Sequence, residues 1–285
     1  MAETEIIATM LKRFLTFLAV ILMPFVAVEA QDYSWESVPV DGRMTGCTST
    51  SGDNVAEALG YFKGCRYVSP SGNTYRRNSP VARTARIVID AQPKMKRVKT
   101  VIAHCPDGMA VAYPESPLSN WFVDNLMKAV EKEAGRPVHV GIVNFGGIRV
   151  DMPVGDVILD DLLSMFPFRN QIVYLEHRGS EIRKIVEEMA ATKFQVLGGI
   201  RTVVEDGKVR SIEIGGEPLE DDMIYGVATI SFLLYGGDDL HLADNAIDLK
   251  VYDRMIIDVM LEYVESETAA GRVLTSCSDG RVIIR

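Results

Sequence analysis

Val138-His139-Val140-Gly141-Ile142-Val143, followed at once by Asn144-Phe145-Gly146-Gly147-Ile148-Arg149, is the stretch that decides the fold. Its first half is nearly all apolar and rich in β-branched residues, the pattern of a strand buried on both faces. Its second half opens on Asn144 and contains two adjacent glycines, so the chain leaves the strand through a turn. Loops at the end of a buried strand commonly carry ligand groups.

Working outward, Ser116 reads as the cap of a strong helix with Pro117 at its first position. Leu118, Trp121, Phe122, Leu126, Ala129 and Val130 form its expected buried stripe. Val81 to Met95 has helical spacing interrupted at Pro93. Asp156 is expected to cap a short helix ending at Pro167. Ile172 to His177 reads as a strand and Ser180 to Ala191 as a helix. Phe194 to Val204, Val209 to Ile214 and Met223 to Ile230 read as strands, with Asp206-Gly207 a hairpin turn between the first two. A final helix is expected from Asp253 to a C-cap at Gly271, and a last strand over Arg281 to Arg285. Helices mixed with hairpin strands predict an α+β fold, with mixed β-sheets and flanking helices.

The 285 residues are 47% hydrophobic and 24% charged, enough for one large globular domain or one and a half. Net charge is −9 and no basic stripe stands out, so nucleic acid is not an expected partner. Residues 1–30 read as a signal peptide, with a basic start at Lys12-Arg13, an apolar run from Phe14 to Val28 and a cleavage pattern at Val28-Glu29-Ala30. The run is shorter than a membrane span requires, so no stable span is expected. The implied destination is exported, periplasmic or extracellular. Residues 31–80 are rich in Gly, Ser, Thr and Asn, and read as an irregular extension with one helix ending at Gly60 and a turn at Ser69–Asn73. In an oxidising compartment Cys47, Cys65, Cys105 and Cys277 allow three pairings, or free thiols, and their spacing does not fit zinc.

Two later segments complete a candidate site: Phe166-Pro167-Phe168-Arg169-Asn170 and Phe232-Leu233-Leu234-Tyr235-Gly236-Gly237-Asp238. Phe168 and Phe232, each at the edge of a loop, can clamp a flat base from both faces. Arg149 offers a fork of donors for phosphate or ribose oxygens. Asn144 donates and accepts, Asp238 can accept from a ribose diol, and Gly146 and Gly147 let backbone N–H groups approach a ligand. Each has a plainer reading too: both rings could be core, Arg149 could pair with Asp151, and Asp238 could cap its turn.

In order and context these segments resemble the C-terminal domain of the 5′-nucleotidase family, over residues 81–285. The matching segments are Glu115 to Asn120, Asn144 to Arg149, Pro167 to Asn170, Phe194 to Gly199 and Phe232 to Asp238. The resemblance implies a nucleotide-binding domain in which Phe168 and Phe232 sandwich the base, while Asn144, Arg149 and Asp238 hold the ribose and phosphate side. It also implies hydrolysis of nucleoside monophosphates by a divalent metal pair on a separate metallophosphoesterase domain. This sequence departs from the family at Pro114, where an arginine is common, at Arg169, where a small residue is common, and at Ser231, where asparagine is common. His104, His139, His177 and His241 are scattered and lack the Gly-Asn-His-Glu and His-x-His context of such a metal site. Gly155-Asp156 and Asp239-Leu240-His241 are isolated look-alikes. No cofactor is therefore expected on this chain, and the metal pair is expected on a partner metallophosphatase subunit. The alternatives are a non-catalytic periplasmic nucleoside-binding module and a degenerate structural domain.

Overall fold

The computed structural model describes residues 55–285. The signal-peptide pattern, Cys47 and the first part of the 31–80 extension lie outside them. Helix α1 (Val55–Leu59) stops at Gly60, whose φ of +71° ends it as expected. The next residues are more regular than their composition suggests. Strands β1 (Tyr61–Lys63), β2 (Arg66–Val68) and β3 (Thr74–Arg76) form an antiparallel sheet. Its second connection is the Ser69–Asn73 turn, closed by Ser69 N–H donating to Asn73 O at 2.9 Å. The expectation of an irregular segment fails there because short strands with alternate exposure carry little apolar signal. Helix α2 (Pro80–Ala91) follows, capped by Ser79, and gives way at Pro93 to a 3-10 segment over Gln92–Lys99.

From here the main body is built. Strand β4 (Val101–Cys105) pairs with β6 (Gly155–Ile158). Helix α3 (Pro117–Ala134) opens on a Ser116/Ser119 capping box and ends at Gly135, φ +65°. Its Leu118, Trp121, Phe122, Leu126 and Val130 are buried, each contributing about 1.5–3 kcal/mol by removal from water.

The main sheet takes β5 (Val140–Val143), β7 (Gln171–Arg178), β8 (Val196–Gly198), β12 (Ile224–Ile230) and β13 (Asp248–Met255), in the order β13-β7-β12-β5-β8. β5 is parallel to β12, and every other pair is antiparallel. A second sheet has β9 (Ile200–Glu205), β10 (Lys208–Ile214), β11 (Glu217–Pro218) and β14 (Val282–Ile284), in the order β11-β10-β9-β14. Asp206 and Gly207, both at positive φ, make the β9–β10 turn. Helices α4 (Leu159–Met165), α5 (Gly179–Ala191) and α6 (Ile256–Ala269) flank these sheets. The architecture is the expected α+β with mixed sheets.

Three expectations fail for identifiable reasons. Phe194–Val204 is not one strand: the chain leaves the first sheet at Gly198 and enters the second at Ile200, turning at Gly199, φ +68°. Asp156 caps no helix, because it lies inside β6 with its carboxylate on His104 Nδ1 at 3.1 Å. Asp161, at the third position of α4, instead accepts from Ile158 N–H at 2.8 Å. Asp253 belongs to β13, an edge strand whose many charges hide its alternation, and α6 starts at Ile256.

Among the described residues Cys65, Cys105 and Cys277 form no disulfide with one another. Each complete pairing of the four cysteines needs one such bond, so no two-disulfide scheme holds.

Candidate functional site

Strand directions bring the predicted segments to one end of the main sheet. β5 and β12 are parallel, with Val140 beside Val227 and Gly141 beside Ala228, so both C-termini point the same way. β7 is antiparallel to β12, with Ile172 opposite Ile230, so its N-terminus lies at that same end. Residues 144–149 leave β5, 166–170 lead into β7, and 231–238 leave β12.

Hydrogen bonds stitch these segments together. Asn144 Nδ2 donates to Asp238 Oδ2 at 2.7 Å. Gln171 N–H donates to Ser231 Oγ at 3.0 Å, tying the Phe168 loop to the Phe232 turn. Arg149 N–H donates to Met165 O at 3.0 Å. Phe145 N–H donates to Gln195 Oε1 at 3.2 Å, fixing the loop from the side of β8.

The plainer readings of the side chains do not hold. Phe168 and Phe232 are 46% and 45% exposed, so neither ring is core. The Arg149 guanidinium carbon lies 5.9 Å from the Phe168 ring centroid and makes only a 3.4 Å contact to Gly146 O. Asp151 accepts instead from Val111 N–H at 2.8 Å. Asp238 serves Asn144 rather than its own turn.

The glycines have identifiable duties. A Cβ on Gly147 would stand 2.8 Å from Asn144 Oδ1, so the bare backbone lets the carboxamide in. A Cβ on Gly237 would meet Phe232 O at 2.1 Å and its Cδ1 at 2.8 Å, so the turn folds directly against the ring. Gly236, at φ +103°, is followed by Asp238 and Asp239 at φ +48° and +62°. Two successive carboxylate residues in the left-handed region cost energy that the Asn144 bond offsets at Asp238. Asn144 is 5% exposed, and its Oδ1 has no hydrogen-bond partner among the described residues.

Some neighbours escape sequence reasoning. Gln195 faces the site because β8 is antiparallel to β5 with Val196 opposite Val143. Tyr113 packs on Phe145 with centroids 5.9 Å apart, and the Lys193 ammonium sits 5.8 Å from the Tyr113 ring. Tyr113 lies beside Pro114, one of the positions where the sequence was expected to depart from the family. None of Gln195, Tyr113 and Lys193 shows in periodicity, since each is brought to the site by contacts between segments distant in sequence.

The Glu115–Asn120 segment has a structural task. Glu115 accepts from Asp279, Gly280 and Arg281 N–H and from Asn120 Nδ2, at 2.6–3.2 Å. Arg281 is then held by Asp124 and Asp279. Burial works against its charge, but the two carboxylates outweigh that and raise its pKa, while Arg281 lowers that of Asp279.

The histidines do not assemble a metal centre. His104 meets Asp156, His139 Nδ1 accepts from Gly226 N–H, His177 is buried on the Leu242 carbonyl, and His241 lies beside Gly236. Among the described residues no group of three or more His, Cys, Asp or Glu could hold a metal ion. No described helix is long and apolar enough to cross a membrane.

Comparison with known proteins gives the family and the fold. The family described as "5'-nucleotidase, C-terminal domain" matches residues 101–244. Protein UshA of Salmonella pullorum is 32% identical over 110 residues, 37% of this chain and 20% of that protein. A 5'-nucleotidase of Vibrio cholerae is 34% identical over 103 residues, 34% of this chain and 18% of that protein. The chain thus spans about a fifth of these relatives' length. Among solved structures, the 5'-nucleotidase precursor of Thermus thermophilus superposes with a TM-score of 0.62 at 23% identity, covering 71% of this chain and 43% of that one. The NAD nucleotidase of Haemophilus influenzae does so at 0.54 and 15%, covering 77% and 48%. These last two show the shared fold, and the family match over half of the sequence decides the assignment: the chain belongs to the 5'-nucleotidase family, through its C-terminal domain.

Proposed function

We propose that this chain is the nucleotide-binding component of an exported 5′-nucleotidase, a phosphoric monoester hydrolase of nucleotide catabolism. The metal pair would sit on a separate metallophosphatase subunit. Residues 81–285 are the binding domain in this reading, and residues 1–30 direct export. The observation that carries it is the pair of half-exposed rings, Phe168 and Phe232, at one sheet end with the Arg149 guanidinium 5.9 Å from the first.

Phe168 and Phe232 take the two faces of a base. Asp238 keeps its Oδ1 for a ribose hydroxyl while Oδ2 is held by Asn144. Arg149 and the backbone at Gly146 and Gly147 attract the phosphate. The partner's metal ions would activate water and bind the phosphate oxygens; this chain orients the ester toward them.

The test is calorimetric titration of the purified chain with AMP and adenosine. Phe168→Ala and Phe232→Ala should each weaken binding by about 1–3 kcal/mol, roughly five- to 150-fold, without lowering Tm. The chain alone should release no phosphate with added Mn²⁺, Co²⁺ or Zn²⁺. Metal-dependent release by the chain alone would overturn the division of labour. Binding without any partner that restores hydrolysis favours a non-catalytic nucleoside-binding module. Absent binding would sink both.

A further inference from the structure

The chain-wide balance of −9 conceals a basic segment, and the expectation of no basic stripe is wrong locally. Residues 61–100 contain ten Lys or Arg and one Asp, whereas residues 101–285 contain seventeen Lys or Arg and thirty Asp or Glu. None of the ten meets a carboxylate among the described residues. Lys99 donates to Gln92, and Arg86 lies 3.9 Å above the Phe62 ring.

The same segment exposes apolar side chains. Helix α2 buries Ala82 where it packs on β2 and β3. Val81, Thr84, Ile87 and Val88 are not buried, and their spacings of three, four and seven put them on one side. Ile87 is 72% exposed, and Met95 is exposed between Lys94 and Lys96.

We propose that this face docks on an anionic phospholipid bilayer. Phosphate headgroups would meet these cations, while the apolar strip reaches the acyl boundary. The rest of the chain is strongly acidic and is repelled by the same surface, so a single orientation results. A second copy is a poorer occupant. Its acidic body exposes large rings at Phe168, Phe232 and Tyr235, on the ligand segments, so stacking would cover the proposed site.

The experiment is co-sedimentation of the purified chain with vesicles of phosphatidylcholine alone, or mixed with phosphatidylglycerol. Wild type should bind the mixed vesicles only, and less as salt rises. The variant Lys94→Glu/Lys96→Glu/Arg97→Glu/Lys99→Glu should bind about a hundred-fold more weakly or worse. Ile87→Asp/Val88→Asp should also lose binding, with all ten cations kept. Every protein compared begins at Gln31, after the expected cleavage site, so the apolar run of residues 14–28 is absent from all of them. Circular dichroism and thermal unfolding confirm that each variant is folded. Equal sedimentation of wild type and both variants would overturn the proposal. So would capture by heparin or a soluble acidic protein without vesicle binding, or self-association that the variants abolish. AMP binding is read separately, so failure of one reading leaves the other standing.

Discussion

Asn144 Nδ2 lies 2.7 Å from Asp238 Oδ2, joining residues ninety-four positions apart. This bond holds the turn after β12 against the loop after β5. It satisfies one end of a buried carboxamide and fixes a carboxylate whose backbone is in the left-handed region.

Replacing Asn144 with Ala removes a hydrogen bond to a charged group and should cost about 2 kcal/mol, or roughly 4–8 °C in Tm. Asn144→Asp nearly preserves shape but sets two carboxylates against each other, so it should cost more. Thermal unfolding of both variants gives the order. An unchanged Tm in both would mean that the bond does not tie the loops.

Gly199 governs a different relationship, the passage from the first sheet to the second. A Cβ there would stand 2.1 Å from His139 O, and φ is +68°. Gly199→Ala should cost more than about 4 kcal/mol, since backbone cannot give way. Gly215→Ala is the control: its φ is +63°, but a Cβ would meet nothing within 4 Å. It should cost only about 1–2 kcal/mol. Urea denaturation of the pair separates clash from backbone strain.

These cases mark how far the sequence could be read. β5, β7, β12, α3 and α5 were legible because their apolar patterns are local, and α3 also opens on its expected Ser116 cap. The candidate side chains were legible as types, since Gly-Gly turns and loop aromatics are local. The bend at Gly199 was missed although Gly198-Gly199 is a local turn signal, because the apolar residues on both sides read as one strand, and its approach to His139 is what reveals the bend. The same holds for Gln195, which register alone aligns with Asn144. The basic segment was missed for another reason: averaging charge over the chain hides residues 61–100 behind the acidic remainder.

Glu115 offers a test of a long-range latch. Its carboxylate receives the N–H groups of residues 279–281, just before β14. Glu115→Ala should leave them unpaired and cost about 3 kcal/mol, as expected for losing hydrogen bonds to a charged group. Hydrogen exchange should quicken first at 279–284, while amides of β5 and β12 stay protected. Uniform acceleration across the domain would contradict a local latch.

His177 supplies the pH dependence. It is fully buried, with Nε2 donating to Leu242 O at 3.0 Å. Burial lowers its pKa below the ordinary 6.5, outweighing the Leu242 carbonyl and Glu181, which favour the charged form. The unfolded chain therefore binds a proton below pH 6.5 that the folded chain refuses. Its contribution is fully present above 6.5 and is lost as pH falls toward the folded-state pKa, at up to about 1.4 kcal/mol per pH unit. His177→Gln keeps a donor for Leu242 but removes the titration. Urea denaturation at about pH 7, 6 and 5, steps chosen to match the linkage slope, should show wild type losing stability faster than the variant. Parallel curves would mean that His177 titrates alike in both states, and that its burial does not control the acid side of the stability profile.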